Sequence, residues 1–142
     1  MLAGPVREIP PVTRRWRRRL GYLLAAVVAI AVGLLFRAPF MGLPYPVAKY
    51  GGSILWAGMV YFGLRALFPS PRAVRVAVFA AILTALGEFT QLVSMPGFDE
   101  LRATPIGHLM FGRTFDWPDI AAYWIGIGLA AAGDALVLRS HK

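Results

Sequence analysis

The stretch Leu86-Gly87-Glu88-Phe89-Thr90-Gln91-Leu92 sits inside the run 73–95, where Glu88 and Arg75 are the only charged residues. As a helix that run is long enough to cross a bilayer. A carboxylate at such depth costs about 2.5 to 3.5 kcal/mol on insertion scales, so it is rarely accidental and marks the functional centre. At about 100° per residue, Thr84, Glu88 and Gln91 fall within roughly 60° of one another and form one polar stripe. That stripe must face protein or water.

Outward from this stretch, apolar runs alternate with punctuated connections. Residues 20–36 carry no charge and follow the basic block 14–19; Arg37, Ala38 and Pro39 come next, not a small-residue cleavage site. The run therefore reads as a retained anchor. Pro39, Gly42, Pro44 and Pro46 oppose a helix through the next connection. The run 52–68 has Trp56 near one end and Arg65 near the other, where a long side chain can snorkel to the headgroups; Pro69 and Pro71 close it. Pro96 and Gly97 end the run 73–95. The connection 96–116 is long, mixed in charge and broken by Pro105, Gly107 and Gly112, which favours an ordered interfacial lid.

The last run, 117–138, opens on Trp117 and Pro118, with Asp116 placed to cap and Asp119 in the first turn, where the helix dipole favours an acid. Asp119, Tyr123, Gly126 and Ala130 share one face, and Gly126, Ala130 and Gly133 predict close helix packing. Asp134, near the far end, can be paired by Arg72, Arg75 or Arg139.

Composition agrees with a membrane protein: of 142 residues 58% are hydrophobic and 15% charged, and mean hydropathy is +0.61. The net charge of +8 would suggest nucleic acid in a soluble chain. Here Arg7, Arg14, Arg15, Arg17, Arg18 and Arg19 precede the first apolar run, which is the positive-inside pattern; that pattern explains the charge without nucleic acid as a partner, and a cluster of this size beside a span also attracts anionic lipid. With four spans, Arg65, Arg72, Arg75, Arg139 and Lys142 join these on the inner side, leaving Arg37, Lys49, Arg102 and Arg113 outside. The fold class expected is therefore all-α, an integral four-helix bundle of the bacterial cytoplasmic membrane with both termini cytoplasmic. Its parts are a basic arm 1–19, a domain 20–138 with spans at about 20–36, 52–68, 73–95 and 117–138, the outer loop 96–116, and a tail 139–142. There is no internal repeat, and no cysteine, hence no disulfide and no thiolate metal site.

Glu88, Phe89, Thr90 and Gln91, then a loop, then Asp119 with Gly126 seven residues on, resemble the VanZ-like family of small bacterial membrane proteins. The closer likeness is to a branch known as a domain of unknown function. There, segments similar to Tyr50-Gly51-Gly52-Ser53-Ile54-Leu55-Trp56-Ala57 precede the Glu and Gln pair, and segments similar to Leu101-Arg102-Ala103-Thr104 precede Gly112, Phe115 and Asp119. The resemblance covers residues 37–128. It implies a four-helix membrane fold, with a link in one branch to glycopeptide tolerance and no established reaction. Some members carry a ribosomal-maturation label, which a four-span protein does not support.

The candidate polar cluster comprises Arg37, Glu88, Gln91, Asp119, Trp56, Arg102 and His108. Its plainest reading fixes helix register, with Glu88 paired to Arg37, Gln91 bonded to a loop carbonyl and Asp119 holding the lid. Its functional reading is a pocket for a lipid headgroup at the outer leaflet, bound through Arg37, Lys49, Arg102 or Arg113. An enzyme acting on a lipid-linked envelope substrate through Glu88, Asp119 and His108 is the alternative. No ExxH or HxxxH spacing is present, so no metal, cofactor or catalytic residue is assigned. The expected function is non-catalytic: an accessory subunit of a larger membrane complex, or an envelope factor binding membrane lipid.

Overall fold

The computed structural model describes residues 11–68, 72–111 and 114–140. The arm before Pro11, Arg113 and the tail residues His141 and Lys142 lie outside them. Every regular element among the described residues is helical: α1 (Pro11–Arg37), α2 (Tyr45–Leu67), α3 (Ala73–Phe89), α4 (Pro96–Ala103), α5 (Pro105–Phe111) and α6 (Trp117–Ser140), with short 3-10 turns at Pro39–Met41 and Thr90–Leu92.

Proline sets several of these boundaries. α1 stops before Ala38, which precedes Pro39 and takes the extended backbone that position favours. Gly42, at φ 59°, turns the chain in the left-handed region open to glycine. Pro44 and Pro46 do not exclude a helix: α2 begins between them, because a proline in the first turn gives up only an N–H that has no helical partner. α3 ends at Phe89, earlier than expected, and tightens into Thr90–Leu92, where Thr90 Oγ1 donates to the Gly87 carbonyl at 2.6 Å. The connection 96–116 is ordered as α4 and α5. A Cβ on Gly107 would run into the Leu101 carbonyl, so only glycine permits that tight junction.

The long helices pack α1 on α2, α2 on α6 and α3, and α6 on α3. Their common core is Ala57, Tyr61, Val76, Ala80, Ile127 and Ala130. α2 and α6 approach closely at Gly126, where a Cβ would collide with the Ile54 carbonyl. Small residues are what bring backbones together where lipid leaves no hydrophobic drive between helices. Gly133, expected on the same close surface, meets nothing within 4 Å. The small-residue face is therefore tight at its Gly126 end only.

Large apolar side chains point outward: Leu24 and Val27 of α1 are 65% and 59% exposed, Val74 of α3 72%, and Leu129 and Leu136 of α6 65% and 66%. Three helices, Thr13–Arg37, Ala73–Leu92 and Trp117–Leu138, are long and apolar enough to cross a membrane. α2, which contains most of the span expected at 52–68, is not among them. It touches three neighbours and turns Ser53, Tyr61 and Arg65 into the protein, so its surface does not have to be lipid-compatible all round.

Candidate functional site

Two polar layers close the helices off, one at each end of the apolar core. The first forms where late α3, early α6 and early α2 meet. Glu88, 2% exposed, accepts three hydrogen bonds, from the Asp116 backbone N–H at 3.0 Å, the Tyr123 hydroxyl at 3.0 Å and Gln91 Nε2 at 2.9 Å. The carboxylate thus ties the end of the connection 96–116 to α3 and α6. The expected Glu88–Arg37 pair is not formed. Arg37 is exposed at the end of α1 and passes beside Gly52, where a Cβ would come within 2.7 Å of its Nε. Neutral donors and a backbone amide satisfy Glu88 in its place.

Beside Glu88, Lys49 forms an ion pair with Asp116 and lies 3.5 Å from Asp119. Ser53 Oγ donates to Asp119 at 2.9 Å, and the Tyr50 hydroxyl donates to Asp116 at 3.4 Å. Burial alone would lower the Lys49 ammonium; the hydrogen bond to Asp116 and the charges of both carboxylates outweigh it and raise its pKa. Trp56 packs its ring 5.4 Å from that of Tyr123 and walls the cluster. Thr84, also in the stripe, spends its hydroxyl on the Ala80 carbonyl of its own helix.

Arg102 was expected to offer a cation outward. It is instead 6% exposed and turned inward, donating to the carbonyls of Thr90 and of Val93, the latter at 3.3 Å, with its guanidinium 4.6 Å from the Phe98 ring. It pins α4 to the end of α3. His108 is exposed on α5 and no contact joins its side chain to Glu88 or Asp119. No group of three or more His, Asp or Glu able to hold a metal occurs among the described residues. Two buried side-chain atoms here lack a partner, Gln91 Oε1, an acceptor, and Arg102 Nε, a donor.

The opposite layer holds residues that the sequence reading put at this end of the bundle without pairing them. Arg65 does not snorkel: it is 3% exposed, and its Nε lies 2.7 Å from Asp134 Oδ2. The Tyr61 hydroxyl donates to the same oxygen at 2.7 Å and Tyr22 to Oδ1 at 2.8 Å, while Arg65 donates to the Tyr22 hydroxyl at 2.9 Å. Asp134 is therefore bound by Arg65, not by the Arg72 or Arg75 named for it; the side chain of Arg139, also named, lies outside the described residues. The signal was available, since Tyr61 and Arg65 are one turn apart on α2 and Asp134 interrupts an apolar run as Glu88 does.

Apolar faces outward, charges enclosed at both ends and three helices of membrane-crossing length define a small helical membrane protein. The chain belongs to the DUF2809 family, described as a protein of unknown function, whose model matches residues 42–127. Glu88, Gln91, Trp56, Arg102 and Asp119 fall within that match; Arg37, Tyr22 and Asp134 fall outside it. No solved structure matches the chain.

Proposed function

We propose that the chain is a four-helix bundle of the bacterial cytoplasmic membrane with both termini cytoplasmic, and that it acts as a non-catalytic envelope factor holding a lipid headgroup at the outer leaflet. In this reading residues 1–19 are a cytoplasmic arm, 20–138 the membrane domain with 96–116 as its outer lid, and 139–142 a cytoplasmic tail. Kinship with VanZ-like proteins, through Glu88, Gln91, Asp119 and Gly126, belongs to the same reading.

The observation that carries it is the pair of unmatched buried atoms at the Glu88 end. Unpartnered buried polar atoms are rare in proteins and each calls for a reason. Gln91 Oε1 and Arg102 Nε are a buried acceptor and a buried donor in one layer, a combination that a phosphate ester bearing hydroxyl or amino groups can answer. Arg37, exposed beside Gly52, supplies the positive charge, and Trp56 shapes the wall. Catalysis is disfavoured because protein donors already occupy the Glu88 oxygens, and Lys49 and Ser53 already engage Asp119. His108 stands apart from both.

The test is native mass spectrometry of the full chain released from mild detergent, comparing wild type with Gln91→Met. Wild type is expected to carry a phospholipid or polyprenyl lipid that the folded variant loses, at a stability cost of no more than about 1 to 2 kcal/mol for the lost hydrogen bond to Glu88. A wild type with no lipid, or a variant that keeps as much, overturns the reading. A stoichiometric protein partner in place of lipid moves the assignment to an accessory subunit.

A further inference from the structure

A cavity of about 990 Å³ lies at the Asp134 end, between the first turns of α1, Phe62 of α2 and the last turns of α6. We infer that it takes the headgroup of an acidic phospholipid, with Arg14, Arg17 and Arg18 around the phosphate. The inference rests on the membrane-spanning reading above but not on the headgroup site at the Glu88 end.

Three features of the cavity select that occupant. Arg14, Arg17 and Arg18 are spaced i, i+3 and i+4, so their guanidinium groups line one side of α1 at the cavity. All three are exposed, and none forms an ion pair with a described carboxylate. Guanidinium groups bind phosphate oxygens through two parallel N–H bonds, so such a group of arginines suits a phosphodiester.

The acid in the cavity does not oppose an anion. Among the described residues Asp134 is the one carboxylate lining it, and the Arg65 guanidinium and the Tyr22 and Tyr61 hydroxyls already hold its oxygens. Its charge is balanced inside the protein, and the charge facing the cavity is that of the arginines.

The rest of the lining is largely apolar, through Ala25, Phe62, Val137 and Leu138. A site that combines guanidinium groups with hydrocarbon side chains fits an amphiphile, not a soluble anion. Room for it comes from Gly21 and Gly133, on facing helices, where a Cβ would meet nothing within 4 Å. With the arginines on the cytoplasmic side, the occupant comes from the leaflet that carries the anionic lipids.

The experiment places the full chain in nanodiscs containing equal amounts of phosphatidylglycerol and phosphatidylcholine and measures, by native mass spectrometry, which lipid is retained on release. Wild type is expected to keep one phosphatidylglycerol in preference to phosphatidylcholine. The combined Arg14→Gln, Arg17→Gln, Arg18→Gln variant should lose that preference by about tenfold or more. Arg15→Gln with Arg19→Gln, two arginines of the same block that do not line the cavity, should keep it. Gly133→Leu keeps every charge but fills the space, and once folded should lose retention too. If Gly133→Leu does not fold, the arginine variant, altered only at exposed side chains, carries the test. Equal loss in the Arg15 and Arg19 variant reduces the effect to diffuse attraction and overturns the site, as does retention by folded Gly133→Leu. Displacement by millimolar inorganic phosphate would overturn the lipid assignment in favour of a soluble anion. Gln91→Met, whatever lipid it sheds at the Glu88 end, should keep the phosphatidylglycerol that the Arg14, Arg17 and Arg18 variant loses, so failure at one end of the protein is read separately from failure at the other. A chain that does not enter nanodiscs at all fails the membrane-spanning reading itself.

Discussion

Arg65 Nε and Asp134 Oδ2 stand 2.7 Å apart, on different helices, with both side chains 3% exposed. Taking two charges out of water costs several kcal/mol each, which their attraction offsets only when the remaining hydrogen bonds are also made. Tyr22 and Tyr61 make them, on the carboxylate, and Tyr22 also accepts from the guanidinium. The pair therefore holds α1, α2 and α6 in register at one end of the molecule.

Removing one partner leaves the other charge buried and alone. Arg65→Met or Asp134→Leu should each lower stability by about 3 to 5 kcal/mol, and the double variant by less than their sum. Thermal unfolding in detergent measures this; additive losses would mean that the two side chains do not interact as described.

Glu88 carries the corresponding role at the other end, with neutral partners. Glu88→Ala strands the Asp116 N–H, the Tyr123 hydroxyl and the Gln91 amide, and should cost about 3 kcal/mol. Glu88→Gln is close to isosteric: Gln91 can turn its amide to accept and the Tyr123 hydroxyl can rotate, so the cost should stay near 1 kcal/mol. Arg37→Ala should change stability little, because no ion pair to Glu88 is lost. A large loss on Arg37→Ala, abolished in the Glu88→Gln background, would restore the pairing that the geometry lacks.

Gly126 and Gly133, seven residues apart on α6, should respond in opposite ways to the same substitution. Gly126→Leu drives a side chain into the Ile54 backbone, and overpacking at such a contact costs about 1 to 3 kcal/mol or more. Gly133→Leu enters open space and should be tolerated. Melting curves of the two variants decide it, and equal destabilisation would contradict the packing of α6 on α2.

The sequence made the Glu88 stripe legible because a carboxylate in an apolar run is costly wherever it sits, and Thr84, Glu88 and Gln91 repeat at helical spacing. It could not name the partners of Glu88, since a backbone amide from a connection and a tyrosine hydroxyl leave no charge pattern to read. The Arg37 pairing followed from complementary charge alone, and the chain answered with neutral donors. Arg65 was placed by analogy with arginines at helix ends; the burial of α2 by three neighbours, which decides its fate, is a tertiary fact. The glycines of α6 look alike in sequence, and only the position of Ile54 separates Gly126 from Gly133. Pro44 and Pro46 signalled a turn correctly but not that a helix starts between them.

The central claim is that the two polar layers face opposite sides of one membrane, the Asp134 layer inward and the Glu88 layer outward. The chain has no cysteine, so single cysteines report without background. Arg15→Cys on α1 and Glu100→Cys on α4, both at exposed positions, are to be treated in intact spheroplasts with a membrane-impermeant maleimide. The account predicts labelling of Glu100→Cys in intact spheroplasts, and of Arg15→Cys only after the membrane is opened. Labelling of both positions, or of Arg15→Cys alone, in unbroken spheroplasts would contradict it.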